Sequence, residues 1–255
     1  MTAMQIHSAV ALVTGASSGI GRATALALAQ RGATVLLHGR NRTALGEVAD
    51  RTGGTVLVED LAEPGGGRRL AEQALAVAGR LDIVVANAGV GAAGSFAVMA
   101  EDRPAHLIAA NLTAPIELTR AVLPAMLAEG RGSIVLVTSI AGRMGVAGEA
   151  VYAATKAGLD AFAESLRLEL HGTGVRVGVL VPGVVATDFF TRRGRPYGRR
   201  RPRPQSPHAA AARIVRLVET GRAEAYLPRW LRLPVAVRAV APGFYRRLAG
   251  RFGGS

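Results

Sequence analysis

Cysteine is absent from the 255 residues, which excludes disulfides, thiolate metal ligands and a thiol nucleophile, and fits a reducing, cytoplasmic setting. Lysine is almost absent too: Lys156 stands alone beside thirty arginines. Acidic residues are scarce in the last quarter, where residues 191–255 hold 2 Asp/Glu against 16 Arg, while residues 1–190 hold 16 Asp/Glu against 15 Lys/Arg. The formal net charge of +13 therefore belongs to the tail, and the rest is close to neutral. Even basicity would suggest nucleic acid; a basic appendage on a neutral body does not. Clean apolar runs of membrane-spanning length are missing as well. The first 21 residues are uncharged but lack the basic start of a signal peptide and run into Thr14-Gly-Ala-Ser-Ser-Gly-Ile-Gly21. The uncharged stretch from Ile83 to Ala100 is interrupted by Asn87, Gly89, Gly91 and Gly94, and reads as strand plus loop.

The lone lysine lies four residues beyond Tyr152 in Tyr152-Ala-Ala-Thr-Lys156. On a helix, positions four apart share a face, about 5–6 Å apart between Cβ atoms, so phenol and ammonium would point the same way. An ammonium is a compact charge that can sit beside a phenol, unlike the planar guanidinium that this chain uses everywhere else. A cation near a phenol favours the phenolate, so the expected direction for Tyr152 is toward greater acidity. By itself the spacing also fits an ordinary surface pair on an amphipathic helix.

Apolar runs alternate with helical patterns along the chain. Ala9 to Val13 reads as a strand, the glycine cluster as a tight turn, and Arg22 to Arg31 as a helix. In that order the glycines let backbone approach a ligand closely, and the helix start offers unspent N–H groups to a phosphate. The pattern continues with strands at Thr34 to His38, Thr55 to Val58, Ile83 to Ala86, Ser133 to Val137, Val175 to Val181 and Ala225 to Leu227. Helices are expected at Arg42 to Arg51, Gly67 to Ala78, Pro104 to Leu127, Val151 to Leu170 and His208 to Gly221. This predicts an α/β fold: one doubly wound parallel sheet of about seven strands with helices on both faces. We expect residues 1–190 to form the dinucleotide-binding and catalytic core, and residues 191–255 a basic substrate-loop region and C-terminal tail of the same domain.

Taken together, these motifs resemble the short-chain dehydrogenase/reductase family over roughly residues 8 to 190, and the resemblance implies a Rossmann fold. Gly15, Ser17, Ser18, Gly19, Ile20 and Gly21 match the family's cofactor loop, and Asn87, Ala88 and Gly89 its motif after the fourth strand. Asn111, Ser139, Tyr152 and Lys156 match its catalytic set, while Pro182, Gly183 and Thr187 match the segment that holds the nicotinamide carboxamide. The implied activity is carbonyl–alcohol interconversion by hydride transfer. Tyr152 would be the general acid/base and Ser139 would hold the substrate oxygen. Lys156 would bind the ribose and lower the tyrosine pKa, and Asn111 would support a water on the proton path. No metal is implied. Gly39 stands where NAD users of the family carry aspartate, and Arg40 where many NADP users carry an arginine, so NADP(H) is favoured over NAD(H). The family's other basic marker, just before the middle glycine, is replaced by Ser18. Asp60 and Leu61 match the adenine contact. A non-catalytic cofactor sensor or scaffold of the same fold is the alternative.

Substrate identity is outside what the motifs specify. Residues 191–204, with seven arginines and three prolines, are expected to be mobile and solvated until a partner orders them, whether anionic substrate, cofactor phosphate, acidic lipid or nucleic acid. Nucleic acid is disfavoured because Tyr197 is the segment's only aromatic residue. The pairing of such dehydrogenases through the helix Val151 to Leu170 implies a homodimer or homotetramer, with Ala157, Ala161, Phe162 and Leu166 as its apolar surface. From Phe244 to Phe252 helical spacing puts Phe244, Tyr245, Leu248, Ala249 and Phe252 on one side and Arg246, Arg247 and Arg251 on the other. That side packs on the core or on another subunit, or it lies peripherally on an anionic membrane, giving access to an apolar or lipid-like substrate.

Overall fold

The computed structural model describes residues 4–198 and 200–252, with side chains described as far as Arg247. Its strands are β1 (Val10–Thr14), β2 (Thr34–Gly39), β3 (Thr55–Val58), β4 (Ile83–Ala86), β5 (Gly132–Val137), β6 (Val175–Pro182) and β7 (Glu224–Leu227). The helices that connect them are α1 (Gly19–Ala29), α2 (Arg42–Thr52), α3 (Gly66–Ala78), α4 (Arg103–Ile108), α5 (Ala114–Ala128), α6 (Ile140–Met144), α7 (Ala150–Glu169), α8 (Phe189–Arg192) and α9 (Pro207–Thr220). After β7 come α10 (Arg232–Val240) and α11 (Pro242–Phe252). The seven strands form one sheet, all parallel, in the order β3-β2-β1-β4-β5-β6-β7. This is the doubly wound sheet expected from the alternation.

Side chains alternate across each strand, so the sheet feeds two cores. Leu12, Leu36, Val84 and Ile134 pack with Leu118 and Val122 of α5 and Leu159 and Ala163 of α7. Val13, Val35, Val85 and Val135 pack the opposite face with Leu28 of α1 and Ile214 and Val218 of α9. Burying such a side chain is worth about 1.5–3 kcal/mol, and both faces need apolar residues, which explains why the strands read as continuous apolar runs.

Helix ends follow local chemistry. Asn41 caps α2 by accepting from the Ala44 N–H at 3.0 Å, and Ser206 caps α9 by accepting from Ala209 N–H at 3.1 Å. Pro207 takes the first position of α9 and Gly221, at φ 63°, ends it. One expectation fails: Pro104 to Leu127 is not a regular helix. Ala109–Thr113 forms a π turn between α4 and α5. Pro115 lacks an N–H for the carbonyl of Asn111 and its ring would clash there, so the ladder widens.

The strand order reverses between β1 and β4, whose connections leave toward opposite ends of the sheet. Ligands bind doubly wound sheets beyond the carboxyl ends of the strands at such a point. Here those ends gather Gly15, Arg40, Asn87, Ser139 and Gly183 around one cleft of about 2010 Å³.

Candidate active site

The glycine loop needs its glycines. Gly15 and Gly19 have φ of 67° and 54°, and a Cβ on Gly21 would lie 2.1 Å from the Gly15 carbonyl oxygen. Thr14 stitches the loop to β4, because its Oγ1 accepts from the N–H groups of Asn87 at 2.9 Å and Ala88 at 2.8 Å. Asn87 Nδ2 in turn donates to the Thr14 carbonyl at 2.9 Å. Ser18 precedes α1 in an extended conformation and its side chain makes no cap, so the first N–H groups of that helix stay available to an anion.

Opposite this loop, Ser139 ends β5 and caps α6, its Oγ accepting from Ala141 N–H at 3.1 Å. Tyr152 and Lys156 project from α7 into the floor of the cleft, 8% and 3% exposed. Lys156 Nζ donates to the Val137 carbonyl at 3.0 Å and lies 5.9 Å from the Tyr152 ring centroid. Asn111 clamps Val90 from both sides, accepting its N–H at 2.8 Å and donating to its carbonyl at 2.9 Å. It reaches Thr155 Oγ1 at 3.4 Å, and that hydroxyl donates to the Tyr152 carbonyl at 2.7 Å. A Cβ on Gly89 would stand 3.0 Å from Asn111 Oδ1 and 3.5 Å from Lys156 Nζ, so the glycine keeps room for both groups.

Burial pushes the Tyr152 phenol up to about 12, against the pull of its hydrogen bond with Ser139, while Glu149 pushes the same way as burial and Arg193 opposes it. Burial also lowers the Lys156 ammonium to about 8, opposed by Asp160. The expected lowering of the tyrosine by the lysine is therefore not found in this arrangement. Desolvation acts on both groups, and the charges that bear on the phenol are those of Glu149 and Arg193, while the ammonium donates to the Val137 carbonyl.

Most of the described residues of the Arg-rich segment are exposed, as its composition suggests, but Arg193, Tyr197 and Pro202 are half-buried and tie it to the cleft. Phe189 of α8 packs on the Tyr152 ring at 5.5 Å between centroids, Phe190 meets Phe189 at 5.7 Å, and Tyr197 meets Phe190 at 5.4 Å. Arg193 stacks on Phe190 at 4.5 Å and pairs with Glu149, both side chains 10% exposed. The Arg193 carbonyl accepts from the Ala93 N–H at 3.0 Å, and Gln205 pairs in parallel with Val185. Two phenylalanines just before the arginines and one tyrosine among them supply an apolar anchor, and the segment lines the cleft as its lid. From α8, Arg192 reaches the glycine loop and donates to Ser18 Oγ at 3.2 Å. Thr187 also leans on that loop, since a Cβ on Gly19 would come within 2.9 Å of Thr187 Cγ2.

At the far end of the cleft Arg40 is 61% exposed and sits 3.4 Å from Asp60 Oδ2. Burial acts to raise the Asp60 carboxyl, but the Ala62 N–H and Arg40 outweigh it and hold the group below its usual range. Leu61 is buried beside it. His38, also buried, bonds the Glu59 carbonyl at 3.0 Å through Nε2, and burial lowers its pKa.

The cleft thus brings together the residues anticipated from the motifs except Gly21 and Asn111, which are buried behind its wall. Thr14 and Glu149 were not anticipated as site residues, though their positions, one residue before Gly15 and one helical turn before Tyr152, carried a signal; Arg192 and Arg193 belong to the Arg-rich segment singled out by composition, which did not foretell their partners Ser18 and Glu149. The donor set fits a nicotinamide dinucleotide: free N–H groups and hydroxyls at the glycine loop, a guanidinium at the end of β2, and a lysine beside Gly89. Among the described residues no group of three or more His, Cys, Asp or Glu is placed to hold a metal ion.

Comparisons with known proteins agree with this geometry. The pattern of the short chain dehydrogenase family matches residues 9–197. An uncharacterized oxidoreductase of Myxococcus xanthus is 40% identical over 237 residues, which cover 91% of this chain and 92% of that protein. A short-chain dehydrogenase from Sphingobium yanoikuyae, solved in complex with NADPH, is 29% identical with a TM-score of 0.79 over 94% of both chains. A short-chain dehydrogenase/reductase from Burkholderia phymatum in complex with NAD has a TM-score of 0.83 at 24% identity, over 92% of this chain and 94% of that one, a likeness of fold. With its motifs in one cleft at the switch point of a parallel sheet, this chain belongs to the short-chain dehydrogenase family of oxidoreductases.

Proposed function

We propose that this oxidoreductase interconverts a carbonyl and an alcohol with NADP(H), Tyr152 acting as general acid and base. The observation that carries the reading is the meeting of Ser139, Tyr152 and Lys156 on the buried floor of one cleft, facing the glycine loop. The bound nicotinamide supplies hydride in reduction and accepts it in oxidation.

The protein's own groups do the rest. In reduction, Ser139 Oγ and the Tyr152 hydroxyl hold the substrate oxygen. Hydride reaches the carbonyl carbon as the phenolic proton passes to that oxygen, which leaves the alcohol and a tyrosinate. A phenol at about 12 keeps its proton at neutral pH, so the donor is loaded before the substrate arrives. Lys156, charged at pH values below about 8, stabilises the tyrosinate from nearby and would hold the ribose hydroxyls. Asn111 fixes the Val90 backbone and would support a water that returns the proton.

Gly15, Ser17, Ser18, Gly19, Ile20 and Gly21 would hold the pyrophosphate and Asp60 with Leu61 the adenine. Asn87, Ala88 and Gly89 would flank the nicotinamide ribose, and Pro182, Gly183 and Thr187 the carboxamide. Arg40, with no acidic residue at Gly39, would read a 2′-phosphate, since a guanidinium makes paired charge-assisted bonds to phosphate. Nothing observed favours a sensor or scaffold without turnover, and the full Ser, Tyr, Lys and Asn set argues for chemistry.

Oxidation of NADPH with a panel of ketones tests this reading. Tyr152→Phe keeps the packed ring and loses only the proton, so kcat should fall roughly 10²- to 10⁴-fold with cofactor affinity and melting temperature nearly unchanged. A wild-type protein inert on the whole panel, or a Phe variant with wild-type kcat, overturns the assignment.

A further inference from the structure

The C-terminal wall of the cleft has two apolar sides, and one of them is bare. Leu231 is buried at 5%, Val235 packs on the core, and Pro234 and Val237 face the cleft. Outward, Leu233 is 69% and Val240 83% exposed, with Ala236 exposed between them at helical spacing, and Trp230, 51% exposed just before α10, stands at the edge of the cleft lining. A helix apolar on both sides calls for two apolar neighbours, and the core supplies one. α11 divides in the same way. Tyr245 donates its hydroxyl to the Met144 carbonyl at 2.9 Å and so ties the helix to the cleft, while Phe244, 61% exposed, stands at the edge of the cleft lining. Leu248, Ala249 and Phe252, the rest of the predicted apolar side, lie outside the described side chains.

The bare side continues around the mouth of the cleft. Val146, in the loop before α7, lines the cleft and is 41% exposed. Phe96 and Val98 follow Ser95, another lining residue, and are 64% and 83% exposed. These side chains come from three separate segments beside the cleft and form an apolar part of its rim. Along the C-terminal part of the rim the charge has one sign: Pro228 through Arg247 contains five arginines and no acidic residue, while Glu101 and Asp102 stand exposed just beyond Val98. Arg232 pairs with Glu224 and Arg238 with the Arg143 carbonyl, whereas Arg229, Arg246 and Arg247 are exposed.

We propose that this rim seats the protein on an anionic lipid bilayer, with the mouth of the cleft against the membrane, and that the substrate is an apolar carbonyl or alcohol drawn from the lipid. Trp and Phe with arginines beside them suit the boundary between headgroups and acyl chains, where aromatic bodies bury and guanidiniums meet lipid phosphates. Among the described residues no helix is long and apolar enough to cross a membrane, so the contact is peripheral. The substrate half of the inference rests on the carbonyl–alcohol reading; the docking half does not.

Co-sedimentation tests docking, using phosphatidylcholine vesicles with and without 30% phosphatidylserine. Trp230 is the only tryptophan, so its fluorescence reports the rim directly and should shift to the blue on binding. Partition should be roughly tenfold or more higher on the anionic vesicles, and should fall as salt rises or in Arg246→Gln/Arg247→Gln. Leu233→Ser/Val240→Ser alters only exposed positions away from the cleft lining. It should lose vesicle binding and keep turnover of a small water-soluble ketone. Absence of binding to either vesicle, or binding unchanged in the double serine variant, overturns the proposal. So does a dimer, seen by light scattering, that the same variant dissociates while vesicles bind nothing, because a second copy then covers the rim. A wild-type chain that binds vesicles yet reduces no ketone confirms docking and faults the carbonyl chemistry instead.

Discussion

Burial governs the two ionisable groups on the floor of the cleft, and one of them can be titrated through stability. Lys156 has a folded value of about 8 against an ordinary 10.5. Below about pH 8 it is charged in both states and the folded protein bears the full desolvation cost. Between about 8 and 10.5 the unfolded chain holds a proton that the folded one has released, so stability rises with pH. Tyr152, raised from 10.0 to about 12, has the opposite effect, and stability falls as pH climbs through that range. No cysteine and no second lysine titrate beside Lys156, and thirty arginines stay charged. Denaturant unfolding of the cofactor-free protein at pH 7.5 and 9.5 should therefore show a gain of roughly 2 kcal/mol, absent in Lys156→Met. A flat wild-type profile would show that the lysine is not desolvated as described.

The lid is the element that joins the two ends of the cleft. Phe189 rests on the Tyr152 ring, Arg193 pairs with Glu149 on the catalytic helix, and Arg192 bonds Ser18 in the glycine loop. Position 18 is where a basic residue marks NADP users of the family, and here a guanidinium arrives from the lid instead of from the loop. Arg40→Ala and Arg192→Ala should each raise the Kd for NADPH more than that for NADH, each by roughly tenfold or more for a charge-assisted phosphate contact. Calorimetric titration of the four combinations decides. Equal weakening of both cofactors would place either guanidinium on the pyrophosphate, and a wild-type preference for NADH would reverse the cofactor assignment.

The whole molecule leaves a second apolar surface, away from the cleft mouth. The sequence put Ala157, Ala161, Phe162 and Leu166 on the outer side of α7; the fold buries Leu166 at 6%, half-buries Phe162 against the core and leaves the two alanines exposed. Leu168, at 71%, is exposed further along the helix. Small residues allow a second helix to approach closely, and a twin α7 would cover Leu168 as well. We expect a homo-oligomer. Light scattering at micromolar concentration should exceed the 26.3 kDa of one chain, and Ala161→Glu should return it to that mass without loss of fold. A wild-type particle already of that mass would exclude pairing through this face.

The doubly wound sheet and the floor of the cleft were legible because their signals are local. Gly15, Gly19 and Gly21 are needed by backbone geometry within one turn, and Tyr152 and Lys156 meet through the helical period alone. The π turn at Asn111 was also written locally, in Pro115, though the apolar pattern hid it. Other features depend on residues far apart in the chain. Arg192 and Ser18 are 174 positions apart and Arg193 and Glu149 are 44, so composition could describe the Arg-rich segment only as soluble. The acidity of Tyr152 needed the same information: spacing supplied the lysine as neighbour, but only the packed core supplied the desolvation that raises the phenol. The tail shows where the sequence stops. Its periodicity announced an apolar side, and tertiary packing alone decided that Leu231 and Tyr245 turn inward while Leu233 and Val240 are left exposed, because the neighbours that bury a side chain come from elsewhere in the chain.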